Sequence, residues 1–379
     1  MAEMLASKYR ICTQCIMDTS LPDIEFDEKG VCNYCRSYEN RIQRDLNYHA
    51  VGQVRLHALI KRMKREGARR DYDCIIGVSG GVDSTYVAYL VKKQFGLRPL
   101  AVHLDNGWDA ELAVINVEEI VRRLGLDLYT QVLDWEEFRD LQVSFLKSSI
   151  PHIEIPTDHA IWATLIRTAA KYGTRYIISG TNLVTEGVAT PAWLYESKDA
   201  HLINSIHRIF STLPLKTFPQ LSITDFVYFF FIRGIRWIPI LNYVPYNKAD
   251  AQRIIGTELG WRDYGSKHHE SIFTRFQHVF WLPHKFNIDL RRPYLSALIL
   301  SKQMTREHAL SEVRLPPRPP DQLEEDIEYV IKKLNLTPTE FDRIIAAPAK
   351  SHADYPNNSF LWRGLPVAVN LAHRLAVRV

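Results

Sequence analysis

Apolar and polar positions alternate in blocks between residues 71 and 182, and the blocks predict strands and helices in turn. Apolar, β-rich runs at 72–78, 100–104, 126–133 and 175–179 read as strands. Between them the spacing turns helical: over 84–94, along the face marked by Leu112, Ile115, Ile120 and Leu124, and over 158–172. Strands alternating with helices of this length predict an α/β fold on a doubly wound parallel sheet, covered on both faces. Ligands of such sheets bind beyond the carboxyl ends of the strands. Ser79, Asp105 and the turn Gly180-Thr181-Asn182 all fall at such ends, so separate turns can converge on one site.

Beyond about residue 200 the pattern is mainly helical and rich in aromatics. The run 315–320 (LPPRPP) is a stiff connector, and capping boxes are expected at Asp321 with Glu324 and at Thr337 with Glu340. The most apolar stretch, 226–240, is interrupted by Arg233, Gly234 and Arg236. Its unbroken part, 226–232, is too short to span a bilayer. A buried helix is the first reading and peripheral contact with a membrane surface the second. These shifts divide the chain into 1–50, 51–200, 201–320 and 321–379.

With 379 residues, 46% of them hydrophobic and 24% charged, the chain has room for a sizeable core and shows no low-complexity tract. A net charge of +4 is too mild to imply a nucleic-acid partner. The basic run with Lys61, Arg62, Lys64, Arg65, Arg69 and Arg70 reads as a solvated helix face, with a polyanion patch as the alternative. No signal-peptide pattern opens the sequence, so a cytoplasmic location is expected.

Cys12, Cys15, Cys32 and Cys35 form two C-x2-C pairs, the spacing of a four-thiolate zinc site, with an iron centre or uncoordinated thiols as the alternatives. A filled tetrahedral shell makes such a site structural, either bracing the fold or presenting a surface to a partner. Cys74 sits in an apolar run and reads as a core thiol, which leaves no thiol placed for catalysis.

The stretch GVSGGVDST, 77–85, fits a nucleophile elbow, a phosphate loop or a plain turn. Its continuation decides. Ser79, Ser84 and Thr85 can donate to phosphate oxygens alongside backbone N–H groups, and Asp83 can hold Mg2+. A Walker loop is excluded because its lysine is missing. Ser79-Gly80-Gly81-Val82-Asp83-Ser84 resembles the pyrophosphate loop of the PP-loop ATP pyrophosphatases. That resemblance implies ATP cleaved between its α- and β-phosphates, with adenylation of an amide or carboxyl oxygen. Gly180-Thr181-Asn182 with Glu186 is similar to the NAD synthetase segment whose glutamate binds magnesium. Asp105 sits where this superfamily receives the adenosine half of ATP.

The cysteine ribbon, this loop, and the segments GWRDYGSKHHESIFTRFQHVF and RRPYLSALILSKQMTREHAL together resemble the N-acetyl sugar amidotransferases of bacterial surface-polysaccharide synthesis. The resemblance covers about residues 9–310. It implies conversion of a sugar acetamido group to an acetamidino group, on a UDP-linked diacetamido uronic acid used in O antigen. No glutaminase motif is present, and the resemblance implies ammonia from a HisH-like glutaminase paired with a HisF-like barrel. Lys267 is assigned to steadying phosphate charge; His268, His269, Glu270 and Arg275 are candidates for sugar or nucleotide contacts, with a surface turn as the alternative. Two rival functions stand beside this one: a tRNA-modifying adenylating enzyme, and an inactive scaffold for a glutaminase complex.

Overall fold

A computed structural model describes residues 9–193, 195–265 and 269–362. At its centre is a parallel sheet of β1 (Cys74–Gly77), β2 (Pro99–Asp105), β3 (Asp127–Val132), β4 (Tyr176–Ser179) and β5 (Arg236–Pro239). The strand order is β3-β2-β1-β4-β5. The chain therefore winds outward from β1 to one edge, then returns to β4 on β1's other side. That reversal opens a crevice between the carboxyl ends of β1 and β4, where doubly wound sheets take their ligands.

Alternation along the strands sends side chains into two separate cores. Ile76 and Ile178 face the helices Val82–Tyr89, Glu111–Leu124 and Lys248–Leu259. Ile75 and Ile177 face the helix Ile155–Lys171 and the aromatic pair Phe226 and Phe230. Both faces of β1, β2 and β4 are covered, as their near-continuous apolar runs require, whereas the edge strand β3 leaves Leu128 and Val132 exposed. A third cluster ties the cysteine ribbon to the helices Trp135–Lys147, Ala200–Phe210 and Pro320–Lys333.

The α/β sheet is the expected one, with additions and corrections. The helix Trp135–Lys147, N-capped by Asp134, follows β3 and was not anticipated. Neither was β5, which joins β4 in parallel through the register Ile178↔Ile238. Its four residues are lost to periodicity within an aromatic run, and Pro239 ends it by withholding an N–H. The apolar run 226–232 is only half buried: Phe226 and Phe230 are covered, while Val227, Tyr228, Phe231 and Ile232 are exposed. The box at Asp321 and Glu324 does not form. Its helix starts two residues earlier than that cap would set, at Pro320, whose fixed φ suits a first turn, and no side chain caps it. The box at Thr337 and Glu340 is present.

Among the described residues no helix is long and apolar enough to cross a membrane. Lys61, Lys64 and Arg65 stand on the exposed side of the helix Ala50–Gly67, whose Leu56 and Met63 are buried, and Arg69 is exposed in the turn that follows it.

Candidate active site and cysteine centre

The turn after β1 is shaped by glycine. Gly80 has φ +77°, and a Cβ there would lie 2.5 Å from the carbonyl oxygen of Ala113, so only glycine fits. The Gly80 carbonyl is pinned by the Trp261 indole N–H (2.8 Å) and approached by the Asn116 amide (3.4 Å). Gly81 then begins the helix Val82–Tyr89 without any side-chain cap, and the backbone N–H groups of such a helix start suit an anion. Ser79 and Ser84 face one another across the turn, their hydroxyls 3.2 Å apart. Thr85 departs from the expected role. It is fully buried and donates to the Gly81 carbonyl (2.6 Å), holding the loop from beneath.

Asp83 and Glu186 reach the same space from different strands. Gly180, at the end of β4, packs so closely that a Cβ would lie 3.1 Å from that of Asp83. Asn182 caps the short helix Leu183–Glu186 by accepting from the Thr185 N–H (2.8 Å), and is itself buried. Its role is to shape the turn that presents Glu186. The Tyr246 hydroxyl donates to Asp83. Burial first, then the Asp83 charge, pushes the Tyr246 hydroxyl far above its ordinary value, so it remains a donor. Tyr264 is raised in the same way by burial and by Glu270, to which it is hydrogen-bonded.

Asp83, Glu186, Tyr264 and Glu270 line one cavity of about 600 Å³. Ser79, Gly81, Asp83, Ser84, Gly180 and Glu186 form its loop half. The other half comes from the helical part of the chain, including His269, Glu270, His278, Arg291, Tyr294 and Leu298. Glu270 is positioned by the turn after β2, because its carbonyl accepts the Ala110 N–H (2.8 Å) and Asp109 bridges to Ser271. His269 is held near a pKa of about 4 by burial, with the Arg275 and Arg318 charges adding to it. It is therefore neutral near pH 7.

Other expected site residues lie elsewhere. Asp105 does not line this cavity, and its carboxylate accepts the Gly107 N–H (2.9 Å) in the turn after β2. Arg275 is engaged with Asp326 at 2.6 Å, and Arg318 joins the same carboxylate at 2.7 Å. A largely buried guanidinium held this way is a structural pin. Lys267 and His268 lie outside the described residues.

Periodicity gave no sign of Tyr246, Tyr264, Lys248, His278 or Tyr294, all of which touch the site or its carboxylates. The signal that could have exposed Lys248 is its place just after the cap Asn247, which puts it on a helix's first turn.

The four ribbon cysteines converge and are fully buried, their sulfurs all within 4.8 Å of one another. The pairs Cys12–Cys35, Cys15–Cys32 and Cys32–Cys35 stand 3.8, 3.7 and 3.6 Å apart. Four sulfurs at about 2.3 Å from a central ion would lie about 3.8 Å apart, so the set fits tetrahedral zinc. No disulfide joins them. N–H groups of Gln14, Cys15 and Cys32 point at the Cys12 sulfur at 3.3–3.5 Å, as a thiolate would want. Cys74 is buried in β1, and its thiol is pushed well above the usual range by burial and the Asp73 charge. No thiol stands in the cavity.

Residues 270–367 match the family model described as the C-terminal domain of WbpG-like LPS biosynthesis proteins. The matched stretch supplies Glu270 and much of the helical half of the cavity, from His278 to Pro317. An uncharacterised protein of Methanocaldococcus jannaschii is 24% identical over 173 residues, covering 45% of this chain and 59% of that protein. The glutamine-hydrolysing GMP synthase of Aeropyrum pernix is 32% identical over 125 residues, covering 32% of this chain and 23% of the synthase. The matches thus span less than two thirds of either relative. Among solved structures, NMN synthetase from Francisella tularensis aligns at 13% identity and a TM-score of 0.31, over 71% of this chain and 98% of that one.

Proposed function

We propose that the chain is an ATP-dependent amidotransferase that adenylates a sugar acetamido group and replaces its oxygen with nitrogen from ammonia, giving an acetamidino sugar. The observation that carries this reading is one cavity shared by two unlike walls. A glycine turn with Asp83 and Glu186 forms the first, and the WbpG-like domain forms the second. The first wall suits pyrophosphate; the second comes from a domain family of lipopolysaccharide synthesis. The acceptor proposed is a UDP-linked diacetamido uronic acid. Similarity to a glutamine-hydrolysing GMP synthase supports ammonia as the nucleophile, here drawn from a separate glutaminase of the HisH type with its barrel partner.

An acetamide carbonyl is a weak electrophile, and its oxygen leaves poorly. Attack of that oxygen on the α-phosphorus of ATP forms an O–P bond and expels pyrophosphate. The backbone N–H groups at the start of the helix Val82–Tyr89 and the Ser79 and Ser84 hydroxyls take up the charge that develops on the departing phosphates. Asp83 and Glu186 would hold Mg2+, which supplies further charge neutralisation there. Tyr246 keeps Asp83 oriented for that task. Ammonia then adds to the imidate carbon, a proton passes to a nearby base, and AMP leaves with the former carbonyl oxygen. His269, neutral near pH 7, and Glu270 both line the space where that proton is released.

Incubation with ATP, Mg2+, ammonium and the UDP-linked sugar should release AMP and pyrophosphate in equal amounts, dependent on the sugar. ADP and phosphate as products would overturn the adenylation step. Absence of any nucleotide turnover would favour a scaffold.

A further inference from the structure

The helix Arg291–Leu300 has the cavity on one side and the cysteine ribbon on the other. Leu295 and Leu298 reach the cavity wall. Behind them, Ile16, from the loop between the ribbon's ligands, is fully buried against Leu295 and Ala309, with Leu298 and Met304 packed on the same cluster. One layer of side chains separates ribbon from cavity.

A polar clamp surrounds that apolar contact. Arg306 donates from Nε to the Cys15 carbonyl (2.9 Å) and from a terminal nitrogen to the Cys12 carbonyl (2.7 Å). Arg292 donates to the Ile16 carbonyl (2.8 Å) and pairs with the buried Asp18 at 3.0 Å. The Ile16 N–H completes the set by donating to the Ser296 hydroxyl at 3.3 Å. Two guanidinium forks thus read carbonyls of a loop whose shape is fixed by its sulfurs. Two of those carbonyls belong to the cysteine ligands themselves. An external partner seated on the ribbon would not need this inward clamp.

We propose that the acceptor binds in the helical half of the cavity, against Tyr294 and His278, and that Arg306 is a positioning residue setting that wall against the cysteine ribbon. The inference rests on the adenylating reading of the cavity. The loop half, rich in N–H, hydroxyl and carboxylate, is matched to phosphate and its cation. The helical half adds ring faces, with Tyr294 and His278 at 6.5 Å between centroids, and apolar surface from Leu295 and Leu298, beside the charged Glu270, Arg291 and Glu312. That chemistry suits a ligand carrying rings, such as a nucleotide sugar. Zinc, when bound, fixes the loop that Arg306 grips; the arginine transmits that rigidity to the wall.

The test compares the full chain with R306A and R306K, measuring zinc content, the KM values for ATP and for the UDP-linked diacetamido uronic acid, and amide hydrogen exchange. R306A should keep its zinc and its ATP KM within about twofold, while the acceptor KM rises about tenfold, since a displaced wall misplaces the acceptor. Exchange should quicken in 291–300 and stay unchanged in 79–89, and R306K, which keeps the charge but loses the fork, should fall between. An unchanged acceptor KM, or equal weakening towards ATP, overturns the proposal. If the wild type does not turn over this sugar, the functional reading fails by itself. The exchange pattern then decides alone: unaltered protection of 291–300 in R306A, or in R306K should R306A not fold, refutes the positioning role.

Discussion

Asp83 occupies the second position of an uncapped helix, takes a hydrogen bond from Tyr246, and packs on Gly180 from the neighbouring strand. Those contacts fix its rotamer more than its stability, so D83N should leave the fold intact while cutting turnover by roughly 10³ or more, through loss of the metal and its charge. Near-normal activity in D83N would remove it from the metal site. A second residue-scale prediction concerns Glu154, buried and accepting from the Thr274 hydroxyl at 2.8 Å. Burial, reinforced by the Asp158 charge, lifts its pKa from 4.5 to about 8. Raised in this direction, the folded protein keeps a proton that the unfolded chain releases. The stability it contributes is full below 4.5 and is lost as pH rises through about 8. E154Q keeps an acceptor for Thr274 and cannot ionise. In denaturant titrations the wild type should lose stability relative to E154Q between about pH 5 and pH 8. Parallel profiles would show that Glu154 does not titrate there.

Elements were legible where periodicity reports them and hidden where burial or length erases it. The glycine turn after β1 and the turn after β4 could be located from sequence because each follows an apolar strand and opens a helix. β5 could not: four residues in an aromatic run carry no alternation, and only its pairing with β4 makes it a strand. Thr85 read as a phosphate donor because its hydroxyl follows the motif, yet helical geometry turns that hydroxyl back to Gly81. Arg275 read as a ligand contact because Asp326, 51 residues away, is invisible to spacing. The ribbon, by contrast, was spelled out, since paired thiols must recur at knuckle spacing. C32S should release zinc and lower the melting temperature by on the order of 5 °C or more, because metal binding is coupled to folding of the loop that Arg292 and Arg306 grip. Zinc content unchanged in C32S would mean that the ligand set is wrong.

Across the whole molecule, the sheet supplies one cavity wall and the helical region the other, and the ribbon stands directly behind the second. Neither half of the chain explains the cavity alone. On the proposed reading, a phosphate-binding turn without the helical wall would have no acceptor, and the helical wall without the turn would have nothing to activate it. This division predicts indifference to RNA. The basic residues exposed on the helix Ala50–Gly67 do not line the cavity, so bulk tRNA should show no tight, stoichiometric gel shift at physiological salt. A tight complex would revive an RNA substrate. The most direct test of the central claim is mass spectrometry of the UDP-linked diacetamido uronic acid after incubation with the chain, ATP, Mg2+ and ammonium. Exchange of oxygen for NH should lighten the sugar by the difference between those groups when ordinary ammonium is used, 15N-ammonium should make the product heavier than the unlabelled product by the one extra neutron, and the product should be cationic near neutral pH. A sugar recovered at its original mass, while AMP and pyrophosphate accumulate, would contradict the account.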